Sequence, residues 1–279
     1  MIPYWLAFLL TFGSLPLIAA QPIPANVVVL TFDDSVASQF SVVRPLLLKY
    51  RFGATFFITE GFSFTTNKKD YMTWEQIAQL HKDGFEIGNH TRDHLGINSK
   101  NAHQLREQFQ AINDQCALHK IPKPISFAYP GNSIAKEALP ALAEMGICFA
   151  RRGSAPEYPY ELGEGLPYEP GLDHLLLIPT AGDARPHWTL DNFKKAVALA
   201  REGKIAVLQF HGAPDLDHPW VNTPAEKFAQ YMHYLHEGSF KVIALRDIEK
   251  YVKDLPVPKD PFAIIETRKS ALVKKTPQP

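Results

Sequence analysis

The chain has 279 residues, with 29 Lys and Arg against 29 Asp and Glu, so its formal net charge is zero. Hydrophobic residues make up 46% and charged residues 21%, a balance typical of a soluble globular protein and not of a disordered one. No basic field is present to attract nucleic acid, and the prolines show no collagen-like repeat.

The first twenty residues form an uncharged apolar segment that ends in the small residues Ala19 and Ala20. This pattern predicts a signal peptide over residues 1–20, and therefore a secreted or periplasmic protein. The apolar stretch is shorter than the ~20 residues of a spanning helix, so we expect no membrane span after its removal. Because no Lys or Arg precedes the stretch, a retained membrane anchor stays open as the alternative.

Beyond residue 20, short apolar runs alternate with longer segments of helical periodicity. Strands are expected at Val27–Thr31, Ala54–Thr59, Phe85–Asn89, Ile125–Tyr129, Ile147–Arg151, Leu175–Pro179, Ile205–Phe210 and Val242–Leu245. Helices are expected at Phe40–Tyr50, from Thr73 onward, and at Asn101–His119, Ala135–Met145, Leu190–Arg201 and Pro224–His236. The alternation predicts an α/β fold, a distorted (β/α) barrel of about seven strands with its active site at the C-terminal strand ends.

The chain shows no linker that would divide residues 21–253 into two domains. Residues 254–279 are rich in proline and lysine, and we expect them to form a solvated tail. The two cysteines, Cys116 and Cys148, are compatible with one disulfide or with two separate thiols.

Adjacent acids, Asp33 and Asp34, stand at the end of the first predicted strand. Successive side chains of a strand point in opposite directions, so the pair suits two separate tasks, one binding a cation and one handling a proton. Turn formation is the plainer alternative for such a pair.

Two histidines, His90 and His94, follow the third predicted strand. Their spacing would place both on one face of a helical turn, where both imidazoles reach one metal ion. With Asp34 they form a three-ligand set that leaves positions for water and substrate, as catalytic metals require. The same set also suits non-haem iron. A further histidine, His211, ends the seventh predicted strand and is a candidate general acid.

Thr-Phe-Asp-Asp, His-Thr-x-x-His, Tyr-Pro-Gly and a late strand ending in His, in this order, resemble the polysaccharide deacetylases of the NodB-homology group, carbohydrate esterase family 4. The resemblance implies that Asp33 is the base, that Asp34, His90 and His94 bind Zn²⁺, and that His211 protonates the departing amine. Co²⁺, Ni²⁺ or Fe²⁺ would be alternative ions. In the Tyr129–Gly131 segment, the backbone N–H of Gly131 would bind the oxyanion.

The implied function is metal-dependent removal of N-linked acetyl groups from a glycan partner such as a chitooligosaccharide, peptidoglycan or another polysaccharide. Two alternatives remain: a catalytically decayed glycan-binding protein on the same scaffold, and an amidase for a small non-sugar amide. Trp220, in the loop after the seventh strand, would stack on a sugar ring or else pack the rim of the barrel.

The sequence departs from the family pattern at three places. One is the segment Cys148–Ser154, which lacks the Asp near an aromatic residue that partners an Arg in the family. Ala128 stands where the family has an Arg that orients the base. Either Arg151 or Arg152 could supply the guanidinium instead; the alternative is that both are solvated on the rim of the barrel. Before His211, Leu208 and Gln209 are candidates for substrate contact, with Gln209 where the family has an apolar Leu. We expect Gln209 to bind a polar part of the substrate or to hold the replacement Arg; pairing with buried water is the alternative.

Overall fold

The computed structural model of the protein describes residues 21–253 and 255–275, so the predicted signal peptide lies outside the described residues. None of the helices within these ranges has the length and apolar character of a bilayer-spanning segment. The strands are β1 (Val27–Phe32), β2 (Thr55–Ile58), β3 (Glu86–Asn89), β4 (Ser126–Ala128), β5 (Phe149–Arg151), β6 (Gly182–Asp183), β7 (Ala206–Phe210) and β8 (Lys241–Ile243). The α-helices are α1 (Arg44–Tyr50), α2 (Trp74–Lys82), α3 (Leu105–Leu118), α4 (Ala138–Glu144), α5 (Leu190–Val197), α6 (Ala225–Glu237), α7 (Glu249–Val252) and α8 (Pro261–Lys275).

The strands form one parallel sheet in the order β5-β4-β3-β2-β1-β7-β6, and β8 pairs with β1 off this path. Strand β1 lies between neighbours on both edges, and β7 pairs with Val28–Phe32 on one of them. On the other edge, β8 pairs with Val27–Val29, and β2 pairs with Thr31 and Phe32. Helices between the parallel strands complete the predicted distorted (β/α) barrel, and this prediction is confirmed.

Strand alternation divides the core into layers on the two sides of the sheet. Val28, Leu30 and Phe32 of β1 pack in the large hydrophobic cluster that contains residues of the surrounding helices. Val27 and Val29 pack in a second cluster with residues of β2, β4, β5, β7 and β8, which places them inside the barrel. Every side chain of β1 is buried, as expected for a strand covered on both faces.

The predicted strand Leu175–Pro179 is wrong. Only Ile178 forms an isolated parallel bridge, to Arg151 at the end of β5. The chain turns at His174, whose carbonyl accepts from Leu177 N–H and whose Nδ1 accepts from Leu176 N–H, so a regular strand cannot start there. The sixth strand is instead the two-residue β6, which pairs with β7.

The C-terminal segment is not the solvated tail that we expected. It contains α8, where Ile265 is only 3% exposed and packs against the cluster that includes Leu176 and Leu177. Arg268 of the same helix pairs with Asp173. These contacts bind the helix to the barrel despite the proline-rich segment before it. Cys116 is buried, Cys148 is exposed, and both are free thiols, so the disulfide alternative is wrong.

Candidate active site

The polar side chains of Gln209, Arg151 and Asp33 reach the inner face of the barrel because successive side chains of a strand alternate between its two faces. Val207 packs inside the barrel, and Gln209 follows two positions later on the same face of β7. Phe149 likewise precedes Arg151 on β5, and Val29 lies four residues before Asp33. All three polar residues lie within one residue of the C-terminal ends of their strands, where the sequence predicted the site.

Asp34 turns away from Asp33 because its backbone is left-handed, with φ of 71°. Aspartate tolerates this conformation better than most residues. Its Oδ1 lies 3.3 Å from His90 Nε2 and 3.4 Å from His94 Nε2. The structure therefore brings the three predicted metal ligands together, with their ligand atoms all within 4.8 Å of one another.

The two histidines do not lie on a helical turn, so that part of the sequence interpretation is wrong. Thr91 and His94 both have left-handed backbones, with φ of 61° and 52°, and the segment is an irregular loop. Side-chain oxygens hold the loop: Thr59 Oγ1 accepts from His94 N–H at 3.1 Å, and Thr91 Oγ1 accepts from Leu95 N–H at 2.7 Å. The loop, and not helical spacing, aims both imidazoles at Asp34.

The environment of each imidazole suits metal binding. His90 Nδ1 lies 2.8 Å from the carbonyl oxygen of Ala128, and an N–H at Nδ1 donates to that oxygen. The other ring nitrogen, Nε2, then carries a free lone pair and faces Asp34. Burial and, to a smaller extent, the neighbouring His90 lower the pKa of His94 to about 4, which keeps this ring neutral at ordinary pH. A neutral imidazole is the form that binds a metal.

The site also favours positive charge. Burial acts to lower the pKa of His90, but the carboxylates of Asp33 and Asp34 outweigh it and raise that pKa. Burial acts to raise the pKa of Asp34, yet the close approach of His90 and the surrounding histidines His94 and His211 hold it well below its usual range. Within the described part of the chain, no donor forms a hydrogen bond with buried Asp34 Oδ1. One carboxylate and two imidazoles thus fit a divalent ion such as Zn²⁺.

Asp33 is held by two donors on one of its oxygens. Arg151 Nη2 donates to Asp33 Oδ2 at 2.5 Å, and Gln209 Nε2 donates to the same oxygen at 3.1 Å. The other oxygen, Oδ1, is buried without a hydrogen-bond partner among the described residues. Of the two candidate arginines, Arg151 therefore contacts the acid, whereas Arg152 pairs with Glu157 on the other side of the strand.

A cavity of about 200 Å³ joins these groups, lined by Asp33, Asp34, Phe62, His90, His94, Gly131, Asn132, Gln209, His211, His218, Trp220 and Val221. His211 Nε2 lies 3.8 Å from Asp34 Oδ2, so the predicted acid stands beside the triad. Gly131 has φ of 58°, a backbone conformation that favours glycine, and open space lies where a Cβ would be.

Besides Arg152, two further predicted site residues point elsewhere. Leu208 is buried in the outer cluster with Leu30 and Phe32, because alternation turns it away from Gln209. The Tyr129 side chain is also fully buried, and its hydroxyl donates to the carbonyl of Leu176 at 2.9 Å. Neither side chain lines the cavity.

The mouth of the cavity is aromatic. Phe62, in the loop after β2, is 50% exposed, and Trp220, in the loop after β7, is 60% exposed. Their rings approach His218 from two directions, with centroid distances of 4.7 Å and 5.3 Å. The Trp220 ring is therefore accessible at the rim and not packed into the barrel. Sequence reasoning missed Phe62 and Asn132; the position of Phe62 just beyond a strand end is the signal that could have found it.

The fold and the site together define the class: a (β/α) barrel with a candidate metal centre and an adjacent buried acid at the C-terminal strand ends. Residues 20–150 match the sequence family described as polysaccharide deacetylase. This match includes the Thr-Phe-Asp-Asp, His-Thr-x-x-His and Tyr-Pro-Gly motifs, so it confirms the resemblance to the family over residues 20–150.

The curated relatives match only part of this chain. A peptidoglycan-N-acetylglucosamine deacetylase of Bacillus cereus is 28% identical over 128 residues, covering 44% of this chain and 56% of that protein. A Bacillus subtilis protein is 31% identical over 81 residues, covering 29% of this chain and 28% of that protein. The matches thus span between about a quarter and about half of the relatives' own lengths.

Solved structures share the fold at low sequence identity. A family 4 acetyl xylan esterase from Clostridium thermocellum, in complex with a cobalt ion, has a TM-score of 0.56 at 20% identity, covering 85% of this chain and 96% of that one. A family 4 pseudoenzyme from Bacillus anthracis has a TM-score of 0.55 at 16% identity, covering 82% and 67%. These likenesses establish the architecture, and the chemistry has to be argued from the site itself.

Proposed function

We propose that the protein is a metal-dependent hydrolase that removes N-linked acetyl groups from a glycan, releasing acetate and a free amino sugar. One observation carries the proposal: the triad of Asp34, His90 and His94 and the unpaired Oδ1 of Asp33 line the same cavity. A metal-binding set beside a free carboxylate oxygen is the arrangement that hydrolysis of an amide by water needs.

Asp34, His90 and His94 would hold a divalent ion, Zn²⁺ or alternatively Co²⁺, Ni²⁺ or Fe²⁺. Such an ion supplies Lewis acidity toward a carbonyl oxygen and lowers the pKa of water. Asp33 is the base in this proposal. Arg151 and Gln209 occupy its Oδ2, which leaves Oδ1 to take the proton of the attacking water.

Proton delivery to the departing amine is assigned to His211. The ring lines the cavity, and its Nε2 lies 3.8 Å from Asp34 Oδ2, whereas His90 and His94 approach Oδ1. In this proposal His211 donates its proton to the amide nitrogen of the bound substrate. The backbone N–H of Gly131 is the proposed donor to the oxygen that becomes negative as water adds. These roles make Asp33 and His211 a base and acid pair within one cavity.

The proposed substrate is an N-acetylated glycan, such as a chitooligosaccharide or peptidoglycan. The exposed faces of Phe62 and Trp220 at the mouth suit stacking on sugar rings. The name of the Bacillus cereus relative also points to an amino-sugar polymer. Amine release from N-acetylated chitotetraose and from peptidoglycan fragments, measured with the metal-loaded protein, tests this assignment.

The proposed location is outside the cytoplasm. The apolar residues 5–20 support export with cleavage near Ala20. N-terminal sequencing of protein from its native host checks this. A mature chain that still begins at Met1 would favour a retained membrane anchor.

A further inference from the structure

The Gln209 side chain lies at the inner end of the cavity and has a fixed orientation. It is only 3% exposed, and its Nε2 donates to Asp33 Oδ2 at 3.1 Å. A carboxylate oxygen accepts hydrogen bonds and has none to donate, so the NH₂ group of Gln209 must face Asp33. The amide oxygen Oε1 is therefore the atom that Gln209 has left for another partner.

That oxygen is buried and unpaired. Over residues 21–253 and 255–275, no donor forms a hydrogen bond with Gln209 Oε1. The nearby guanidinium does not serve it either, because Nε and Nη1 of Arg151 are also without partners. Buried acceptors in native proteins rarely stay unpaired. Since Gln209 lines the cavity, a bound molecule can supply the donor.

The depth of the cavity indicates which part of a substrate reaches Gln209. A glycan chain has to leave through the mouth, where Phe62 and Trp220 are exposed. The small acyl end then enters toward the buried Asp33 and Gln209, which share one hydrogen bond. The side chain of Gln209 thus faces the acyl group whose carbonyl carbon the water attacks.

We infer that Gln209 selects substrates whose acyl group carries its own hydrogen-bond donor, the hydroxyl of an N-hydroxyacetyl amino sugar being the probe chosen here. Gln209 Oε1 accepts from this hydroxyl, whereas the methyl of an acetyl group offers it nothing. The inference rests on the proposed amide hydrolysis and specifies the acyl class that the same site prefers.

The test compares three chitotetraose derivatives that differ only in the acyl group: N-hydroxyacetyl, N-propionyl and N-acetyl. Hydroxyacetyl and propionyl have the same number of heavy atoms. The ratio of their kcat/KM values therefore measures the effect of the hydroxyl donor alone. For the wild-type protein we expect kcat/KM to be at least about tenfold higher for hydroxyacetyl than for propionyl, because a site built to pair a hydroxyl rejects an analogue without one.

The variants Gln209→Leu and Gln209→Met assign the preference to this residue. Both variants lose the hydrogen bond that Gln209 donates to Asp33, so we expect their rates to fall on all three substrates. The ratio of kcat/KM for hydroxyacetyl to that for propionyl, taken within one variant, is independent of this loss. We expect the ratio to fall to about one in both, and Trp220→Phe, at the mouth, to keep the wild-type ratio. Two variants are used so that one folding failure does not remove the comparison.

Two results would overturn the inference while leaving the proposed function in place. One is equal kcat/KM for the hydroxyacetyl and propionyl substrates in the wild type. The other is a hydroxyacetyl preference that persists in the Gln209 variants, since the hydroxyl then binds elsewhere, for instance to the metal ion. Absence of amine release from all three substrates would overturn the proposed function and this inference together.

Discussion

Ala128 and Arg151 are direct partners across β4 and β5. Directly opposed residues share a face of the sheet, so both side chains point into the barrel. Ala128 packs in the inner cluster, and the guanidinium of Arg151 lies over the ring of Phe57 and reaches Asp33. The guanidinium that the family pattern places at position 128 is therefore supplied from the neighbouring strand at the same level.

The opposed positions of Ala128 and Arg151 predict that an arginine introduced at position 128 partly restores the activity lost when Arg151 is removed. Arg151→Ala should lower kcat/KM on the order of 10²-fold, because Asp33 loses its main positioning partner. Adding Ala128→Arg to that variant should recover part of the loss, since the new guanidinium starts from the same face. Steady-state kinetics of both variants on N-acetylated chitotetraose measure this.

The matched control for the arginine is Arg152→Lys. Arg152 is as buried as Arg151 but pairs with Glu157 away from the cavity, so this change should affect thermal stability and leave kcat/KM close to wild type. Full activity in Arg151→Ala would contradict the positioning role.

Substitutions of the two adjacent acids, Asp33 and Asp34, should differ in how much metal the purified protein retains. Asp34→Ala removes a ligand, so the purified variant should lose the bound ion, whereas Asp33→Asn should retain it. Both should lose turnover, the second by on the order of 10²–10⁴-fold, as for removal of a general base. Elemental analysis decides the assignment, and full metal content in Asp34→Ala would refute it.

Glu86 should make the protein less stable as the pH rises. It is 2% exposed, and burial raises its pKa despite hydrogen bonds from Ser126 and Thr55. The folded state then holds this proton more tightly than the unfolded chain, so the contribution to stability is complete below the unfolded pKa of about 4.3 and is lost as pH rises through the folded pKa.

Urea unfolding between about pH 4 and pH 8 tests the Glu86 prediction. Relative to wild type, Glu86→Gln should gain stability as the pH rises, because glutamine has no proton to lose. Ser126→Ala should steepen the wild-type dependence, since the hydrogen bond from Ser126 lowers the pKa. A difference between Glu86→Gln and wild type that stays constant with pH would contradict the assignment.

Much of the inner face of the site follows from period-two alternation. Once the bounds of β5 and β7 are known, alternation places Arg151 and Gln209 on the inner face of the barrel. The same alternation turns Arg152 and Leu208 away from that face. The contact between Arg151 and Asp33 does not follow from it, because β5 and β1 are separated by three strands in the sheet order and meet only through the curvature of the barrel.

Other features of the site and the fold depend on backbone conformations and long-range contacts that the local sequence pattern does not specify. The left-handed backbones of Asp34 and His94 aim their side chains at each other, and helical spacing was the wrong reason for expecting the triad. The docking of α8 depends on Ile265 and Arg268 meeting surfaces far away in the sequence, which the proline-rich composition before the helix concealed.

The proposed function requires that the Asp34–His90–His94 set and Asp33 together hydrolyse the amide of an N-acylated glycan. The most direct measurement is amine release from N-acetylated chitotetraose, the N-hydroxyacetyl derivative and peptidoglycan fragments by protein that has been stripped with a chelator and then reloaded with Zn²⁺. We expect no release by the stripped protein, release after reloading, and only a small residual rate from reloaded Asp33→Asn. Reloaded wild-type protein that binds one ion per chain and these glycans, yet releases no amine from any of them, would contradict the claim and indicate a glycan-binding protein on a deacetylase scaffold.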